Sequence, residues 1–255
     1  SESSFVFISH TSRINPNNGD ALWSVKGDAS DPAVVFEGQV ILWNYNPAGS
    51  SDAGQAFLCV DASSGAKLWD YDVGAHIFQP AVSNGLVLFG AEDGCFYAVN
   101  LANGTLNWQT PVDDQKLIAT FNGYTQEQQA LIHMRASSVQ VDPQSQRVFW
   151  SVIVSYNGQD VYNGTIWSLD LSNGNRIWTL PVSNNALIDT VYGNFVSMSL
   201  SNGTLYVTEH SDLYFIDEYT GKIKLRQNFD HYVLPPVVAN DKVLVAADLH
   251  LTAYE

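Results

Sequence analysis

Val60-Asp-Ala-Ser-Ser-Gly-Ala-Lys-Leu-Trp69 decides the fold, because the chain repeats it. Val99-Asn-Leu-Ala-Asn-Gly-Thr-Leu-Asn-Trp108 and Leu169-Asp-Leu-Ser-Asn-Gly-Asn-Arg-Ile-Trp178 follow the same plan. Upstream stands Ile14-Asn-Pro-Asn-Asn-Gly-Asp-Ala-Leu-Trp23. Downstream stands Ile216-Asp-Glu-Tyr-Thr-Gly-Lys-Ile-Lys-Leu225, with Leu in the place of Trp. The Asp or Asn side chain caps its own turn, and the Gly accepts a positive φ. Alternating residues on both sides read as the two antiparallel strands of a hairpin. The Trp closes the unit and buries ~150–250 Å², a gross gain of ~4–6 kcal/mol before entropy is subtracted.

The glycines of the repeat, Gly19, Gly65, Gly104, Gly174 and Gly221, lie 46, 39, 70 and 47 residues apart. A period of ~40–50 residues with about four strands predicts the blades of a β-propeller. One unit is clearest: strands over 79–83, 86–90, 95–100 and 105–108, with Asn84-Gly85 and Asp93-Gly94 as turns. We name these strands A to D, from inside to outside. The D/N-x-x-[TSN]-G-x-x-[LI]-W signature resembles the repeat of the PQQ-binding-like β-propeller family. That family includes quinoprotein dehydrogenases and the non-catalytic propeller of the outer-membrane assembly machinery. The resemblance implies an all-β propeller of four-stranded antiparallel blades, and it leaves function open because propellers host unrelated activities.

A-like strands fall near Val34, Val82, Val139, Leu200 and Val237, which counts five. The chain opens with B-C-D, from Phe5, and ends with A-B-C. Five blades close if the first D strand completes the last blade. Six form if the first blade lacks its inner strand, and the chain can also be part of a longer propeller. The expectation is one domain over 1–255. The 70-residue interval holds an insertion at 112–135, in which Thr125 to His133 reads as a short helix with Thr125 as N-cap. Insertions of this length are binding loops or lids.

Aligned A strands bring out one repeat position: Asp28, His76, His133, Asn194 and His231. Propeller symmetry turns it into a ring near the mouth of the central channel. His76, His133 and His231 with Asp28 suit Zn²⁺, Cu²⁺ or Fe²⁺, with a coordination position left open for water or dioxygen. The competing reading is a polar channel lining. The repeat residues Asp61, Asn100, Asp170 and Asp217 read as turn caps, and Trp69, Trp108 and Trp178 as core. The dehydrogenases of the resembled family are much longer than 255 residues and carry an adjacent Cys-Cys pair, which is missing here. Their Asp base and their Glu/Asn calcium site also have no counterpart that we can place, so PQQ is not expected. Cys59 and Cys95 sit on C strands of successive blades with opposite parity. That puts both in one interface and permits a disulfide, against an axial offset of ~10 Å. Asn103, Asn163 and Asn202 each open an N-x-T sequon, and each also precedes Gly as a hairpin turn would.

Composition bounds the partners. Apolar residues are 45% and charged residues 15%, with 11 Lys+Arg against 26 Asp+Glu, a net charge of −15. Such a chain repels nucleic acid and anionic membrane surfaces. No run of ~18 apolar residues can insert in a bilayer. The opening Ser1-Glu2-Ser3-Ser4-Phe5 does not read as a signal peptide, although a cleaved mature form would look the same. Few lysines, many Asn/Ser/Thr and the sequons point outside the cytoplasm. No G-x-S-x-G, H-E-x-x-H or phosphate-binding glycine loop occurs. The expected function is therefore a non-catalytic, extracytoplasmic scaffold that binds a protein or other ligand, without a cofactor. The rivals are a metal-dependent enzyme built on the histidines and a lectin-like carbohydrate binder.

Overall fold

The computed structural model describes residues 10–29, 33–47, 56–112, 132–156, 159–182, 196–209, 211–231, 233–239, 242–247 and 250–254. At 10, 26–29, 44–47, 132–138, 153–156, 159–164 and 239 it describes the backbone alone. The described residues form strands and turns. A first hairpin, β1 (His10–Ile14) and β2 (Ala21–Ala29), precedes four sheets of one design. The first is β3 (Val34–Phe36), β4 (Gln39–Pro47), β5 (Ala56–Asp61) and β6 (Lys67–Asp72). The second is β7 (Ala81–Ser83), β8 (Leu86–Gly90), β9 (Cys95–Asn100) and β10 (Leu106–Pro111). The third is β11 (Ile132–Asp142), β12 (Arg147–Tyr156), β13 (Gln159–Asp170) and β14 (Arg176–Pro181). The fourth is β15 (Ser197–Ser201), β16 (Thr204–Glu209), β17 (Asp212–Asp217) and β18 (Ile223–Asn228). A three-stranded sheet follows: β19 (Val237–Ala239), β20 (Lys242–Ala247) and β21 (His250–Tyr254). Strands pair antiparallel in chain order within each sheet, so each is a meander of the propeller type.

β2 runs on past its hairpin. Residues 21–26 pair with β1, and Gly27–Ala29 pair with Tyr45–Pro47 of β4. That commits β2 to the following sheet, and β21 does not pair with it. The closure of five blades by β2 is therefore not made among the described residues. The inner strand of the second blade is interrupted in the same way, with an isolated Ile77↔Ala91 bridge ahead of β7.

The core lies between neighbouring sheets. Val87, Phe89, Tyr97 and Val99 of the second blade meet Ile41, Phe57 and Cys59 of the first. The opposite face, with Leu88, Phe96 and Ala98, meets Val148, Trp150 and Trp167 of the third. Both faces of the middle strands thus have a partner, which explains why these strands are apolar on both sides and the charge content is low. Cys59 and Cys95 do share one interface, but both are free thiols. The Cys59 thiol donates to Gln39 Oε1 instead, at 3.0 Å.

The signature residues have one job each. Asp61 Oδ1 accepts the N–H groups of Ser63 and Ser64 at 3.0 and 2.8 Å. Hydroxyls of Ser63 and then Ser64 pull its carboxyl down to about 2, as expected for a turn cap. Asn100, Asp170 and Asp217 accept in the same way from Ala102, Ser172 and Thr220 at 2.9 Å each. The tryptophans reach forward. Trp23, Trp69, Trp108 and Trp178 donate their indole N–H to the carbonyls of Ala62, Leu101, Leu171 and Glu218 of the next unit, at 3.0, 2.7, 3.0 and 2.9 Å. At Gly104 (φ 71°) a Cβ would stand 2.8 Å from the Trp69 ring. Close approach and positive φ both require glycine there, and Gly65, Gly174 and Gly221 repeat the contact with the preceding Trp. Gly19 has nothing within 4 Å.

Two expectations need correction. The helix over Thr125–His133 falls mainly on residues 113–131, outside the described residues. Its last two positions, Ile132 and His133, are strand, paired with Tyr156 and Ser155. The long partner β12 supplies their backbone hydrogen bonds, which a helix end would leave unmet. Asn163-Gly164 is not a hairpin turn. It lies within β13, with Asn163 opposite Ile153 beside an irregularity in register. Asn202-Gly203 is the turn between β15 and β16, with Asn202 at φ 48°.

Candidate functional site

A cavity of about 680 Å³ opens against the inner strands of consecutive blades. β7 and its approach supply Gln79 to Ser83, β11 supplies Val139 to Val141 with Pro143 after it, and Ser197, Met198 and Pro235 complete the lining. This is the place that a propeller keeps for a central channel. The short inner strands, three residues in β7 and β19, leave backbone and small side chains facing it. Gln79, Gln140, Ser83 and Ser197 offer donors and acceptors without charge, and Pro80, Pro143 and Pro235 stiffen the rim. None of these lining residues titrates near neutrality, so they cannot act as general acid or base. Among the described residues no aromatic ring lines the cavity.

The ring of His and Asp positions lies upstream of that cavity. Asp28 pairs with Asn46, His133 with Ser155, and the His76 carbonyl accepts from Glu92 N at 2.9 Å. All three face the far end of a B strand. His76 and His231 are exposed, and the His76 imidazole stands edge-on to Phe78, 5.8 Å between centroids. The side chains of Asp28 and His133, and all of Asn194, lie outside the described residues. Among the described residues no three His, Cys, Asp or Glu side chains gather to hold a metal. Asn103 turns its amide oxygen onto Thr105 N and Oγ1, at 3.0 and 2.8 Å, so it serves its own turn.

A charged cluster escaped sequence reasoning. Glu209 and Asp212 face each other across the β16–β17 hairpin, and Tyr214 faces Arg226 across β17–β18. Arg226 grips Asp212 with two nitrogens, at 3.0 and 2.8 Å, and lies 5.4 Å from the Tyr214 ring. Asn228 also donates to Asp212, and the Tyr214 hydroxyl donates to the Val182 carbonyl of the third blade at 2.6 Å. Burial, then the Asp212 charge, push the Glu209 carboxyl up to about 7 against the pull of Arg226. Burial works against Asp212, but the Arg226 and Asn228 hydrogen bonds hold it below the usual carboxylate range. The cluster is an ion pair with a third, weakly compensated carboxylate at a blade interface. Its signal was the strand register, since Asp212 and Arg226 are 14 residues apart.

Comparisons with known proteins agree with the repeat. Outer membrane protein assembly factor BamB of Moranella endobia (strain PCIT) is 23% identical over 238 residues, covering 89% of this chain and 52% of that protein. The protein of the same name from Legionella pneumophila (strain Paris) is 31% identical over 152 residues, covering 58% and 32%. The chain thus spans about half, or less, of the length of these relatives. Among solved structures, a europium-containing methanol dehydrogenase superposes with TM-score 0.62 at 15% identity, over 87% of this chain and 49% of that one. Quinohemoprotein alcohol dehydrogenase ADHIIG from Pseudomonas putida HK5 gives 0.59 at 15%, over 89% and 40%. At that identity the structures establish the propeller fold and nothing of the chemistry. The family described as outer membrane protein assembly factor BamB matches residues 9–186 and 162–255, and with the Trp-to-Gly stitching of successive blades this places the chain in that family of PQQ-like β-propeller repeats.

Proposed function

We propose that the chain is a non-catalytic, extracytoplasmic propeller scaffold that holds protein segments during assembly at the outer membrane. The observation that carries this reading is the cavity at the inner strands, lined by uncharged amides, hydroxyls and prolines among apolar Ala81, Val82, Val139, Val141 and Met198. Such a lining suits the backbone of an extended polypeptide, whose amide groups need both donors and acceptors. The names of the relatives, assembly factors along most of this chain, support the same role. Residues 1–255 then act as one propeller domain or as a part of a larger one. No helix among the described residues is long and apolar enough to cross a membrane. The acidic surface favours protein over nucleic acid. His76, His133, His231 and Asp28 line the channel mouth in this reading.

The test is a photo-cross-linking amino acid at Gln140 or Ser197, presented with an unfolded outer-membrane protein diluted from urea. Adducts at both sites, and far fewer from the same probe at Leu68 on the outer edge, are expected. No adduct at either site, together with turnover of a small substrate, would replace the scaffold by an enzyme.

A further inference from the structure

The four turns that receive a tryptophan differ in the residue that follows the cap. The residue after the capping Asp or Asn is Ala62, Leu101, Leu171 and Glu218 in successive units. Its carbonyl takes the indole N–H in every case, and its side chain points inward. Leu101 and Leu171 are 3% and 1% exposed and belong to the inter-blade cores. Glu218 is 1% exposed, a carboxylate where the repeat has a hydrocarbon. Neither of its oxygens has a hydrogen-bond partner, and neither has the buried Ser145 hydroxyl. An uncompensated buried carboxylate costs several kcal/mol, about the stability of many domains, so such a group has a partner or loses its charge.

The surroundings narrow that partner. Asp142, Ser145 and Tyr219 flank the Glu218 side chain without a well-formed hydrogen bond to it. Asp142 and Ser145 come from the turn between β11 and β12. Asp142 accepts the N–H groups of Gln144 and Ser145 at 2.9 and 3.2 Å, which fixes its carboxylate and leaves lone pairs free. Arg147 is the cation at hand, but its guanidinium donates to the carbonyls of Glu218 and Tyr219 at 3.3 and 3.1 Å and rests 5.3 Å from the Tyr219 ring. Burial and the Asp142 charge push the Glu218 carboxyl upward, so the site as it stands has too little positive charge.

We propose that Glu218, Asp142 and Ser145 hold a hard divalent cation, Ca²⁺ by preference, at the joint between the third and fourth blades. All the donors are oxygens, two carboxylates and a hydroxyl, with no thiol or imidazole to favour a transition metal. Asp142 is partly exposed and opens the site to the waters that complete a calcium shell. The ion would tie the β11–β12 turn to the turn that takes Trp178, pinning the two blades where the apolar contact of the other turns is missing. The site shares the β11–β12 turn with the cavity, whose lining includes Val141 and Pro143, but none of its three ligands lines that cavity.

The experiment uses the whole chain, stripped with EDTA, and Tb³⁺ as a luminescent stand-in for Ca²⁺. The Trp178 indole bonds the Glu218 carbonyl, so it lies close enough to sensitise the lanthanide. Saturable Tb³⁺ emission that Ca²⁺ displaces is expected, with a rise in Tm of about 5 °C at saturating Ca²⁺. Glu218→Leu installs the residue of the two preceding units. It should lose the emission and the Ca²⁺-dependent rise, yet melt above the stripped parent without Ca²⁺. Glu218→Gln, should the leucine variant fail to fold, must also lose both signals. Equal emission from parent and variant, or a Tm that follows pH but ignores Ca²⁺, would overturn the site in favour of a neutral carboxylic acid.

Discussion

The second and fourth blades share one skeleton and differ in charge. β8 and β9 of the second carry Ala91, Cys95 and Tyr97 where β16 and β17 of the fourth carry Glu209, Asp212 and Tyr214. Gln109 answers to Arg226, Leu101 to Glu218 and Trp108 to Leu225. In the second blade Gln109 bonds the Tyr97 hydroxyl at 3.0 Å, and that hydroxyl donates to Asp93. In the fourth the same corner is an ion pair with an extra carboxylate. Backbone pairing and capping survive the exchange because they rest on Gly and Asp in the turn. The difference teaches that this repeat fixes its turns and leaves the inter-blade contacts free to vary.

The outer tryptophan offers the strongest way to break that comparison. Trp108 is 7% exposed and Leu225, in the same place, 48%. Trp108→Ala should lower the unfolding free energy by about 3–5 kcal/mol and Leu225→Ala by less than about 1, measured by urea denaturation. Equal losses would show that Leu225 is also a docking residue. Next comes transplantation: Leu101→Glu puts the fourth blade's carboxylate into the second, where no Asp142 counterpart receives an ion. A loss of about 3 kcal/mol is expected, unrelieved by Ca²⁺. Arg226→Met leaves the buried Asp212 with Asn228 as its remaining side-chain donor, and about 1–2 kcal/mol should go.

The smallest effect concerns pH. The Glu209 carboxyl is raised from 4.5 to about 7, so the folded chain keeps its proton after the unfolded chain has released it. Stability therefore falls as pH climbs from about 4.5 to about 7, and the loss persists above that range. Glu209→Gln should flatten the slope of the urea midpoint between pH 5 and 7. An unchanged slope would mean that Arg226 already neutralises Glu209 as well as Asp212.

The sequence made the skeleton readable for a local reason. Gly104 and its equivalents need a positive φ and a bare Cα, and Asn100 and its equivalents need an acceptor, so the five turns stand out and the strands follow between them. The inner strands were placed within a few residues for the same reason. The Glu218 site was hidden because the positions between Asp and Gly look free in a repeat written as a motif. Its burial comes from Trp178, which lies 40 residues upstream, and from the Asp142 turn of another blade. The Glu209–Asp212–Arg226 corner was hidden for a similar reason, since register alone brings those groups together. The cavity lining was legible only as strand A, because its neutral residues have no distinctive chemistry until three inner strands and Pro235 converge. The disulfide that parity permitted is not formed, and both thiols are free.

The forward reach of each tryptophan gives the molecule a direction. Every blade locks the one after it and is locked by the one before, so cohesion is a sum of nearest-neighbour terms. Among the described residues the Gly19 turn has no tryptophan against it, and Leu225, half exposed, stands where the other units carry the donor tryptophan. The β19–β21 sheet consequently meets the fourth blade without an indole hydrogen bond from Leu225, through a small apolar cluster around Leu213, Val243 and Val245. Amide exchange at Val243–Val245 should then be faster than at Leu86–Phe89, which would make the β19–β21 sheet the more yielding of the two joints.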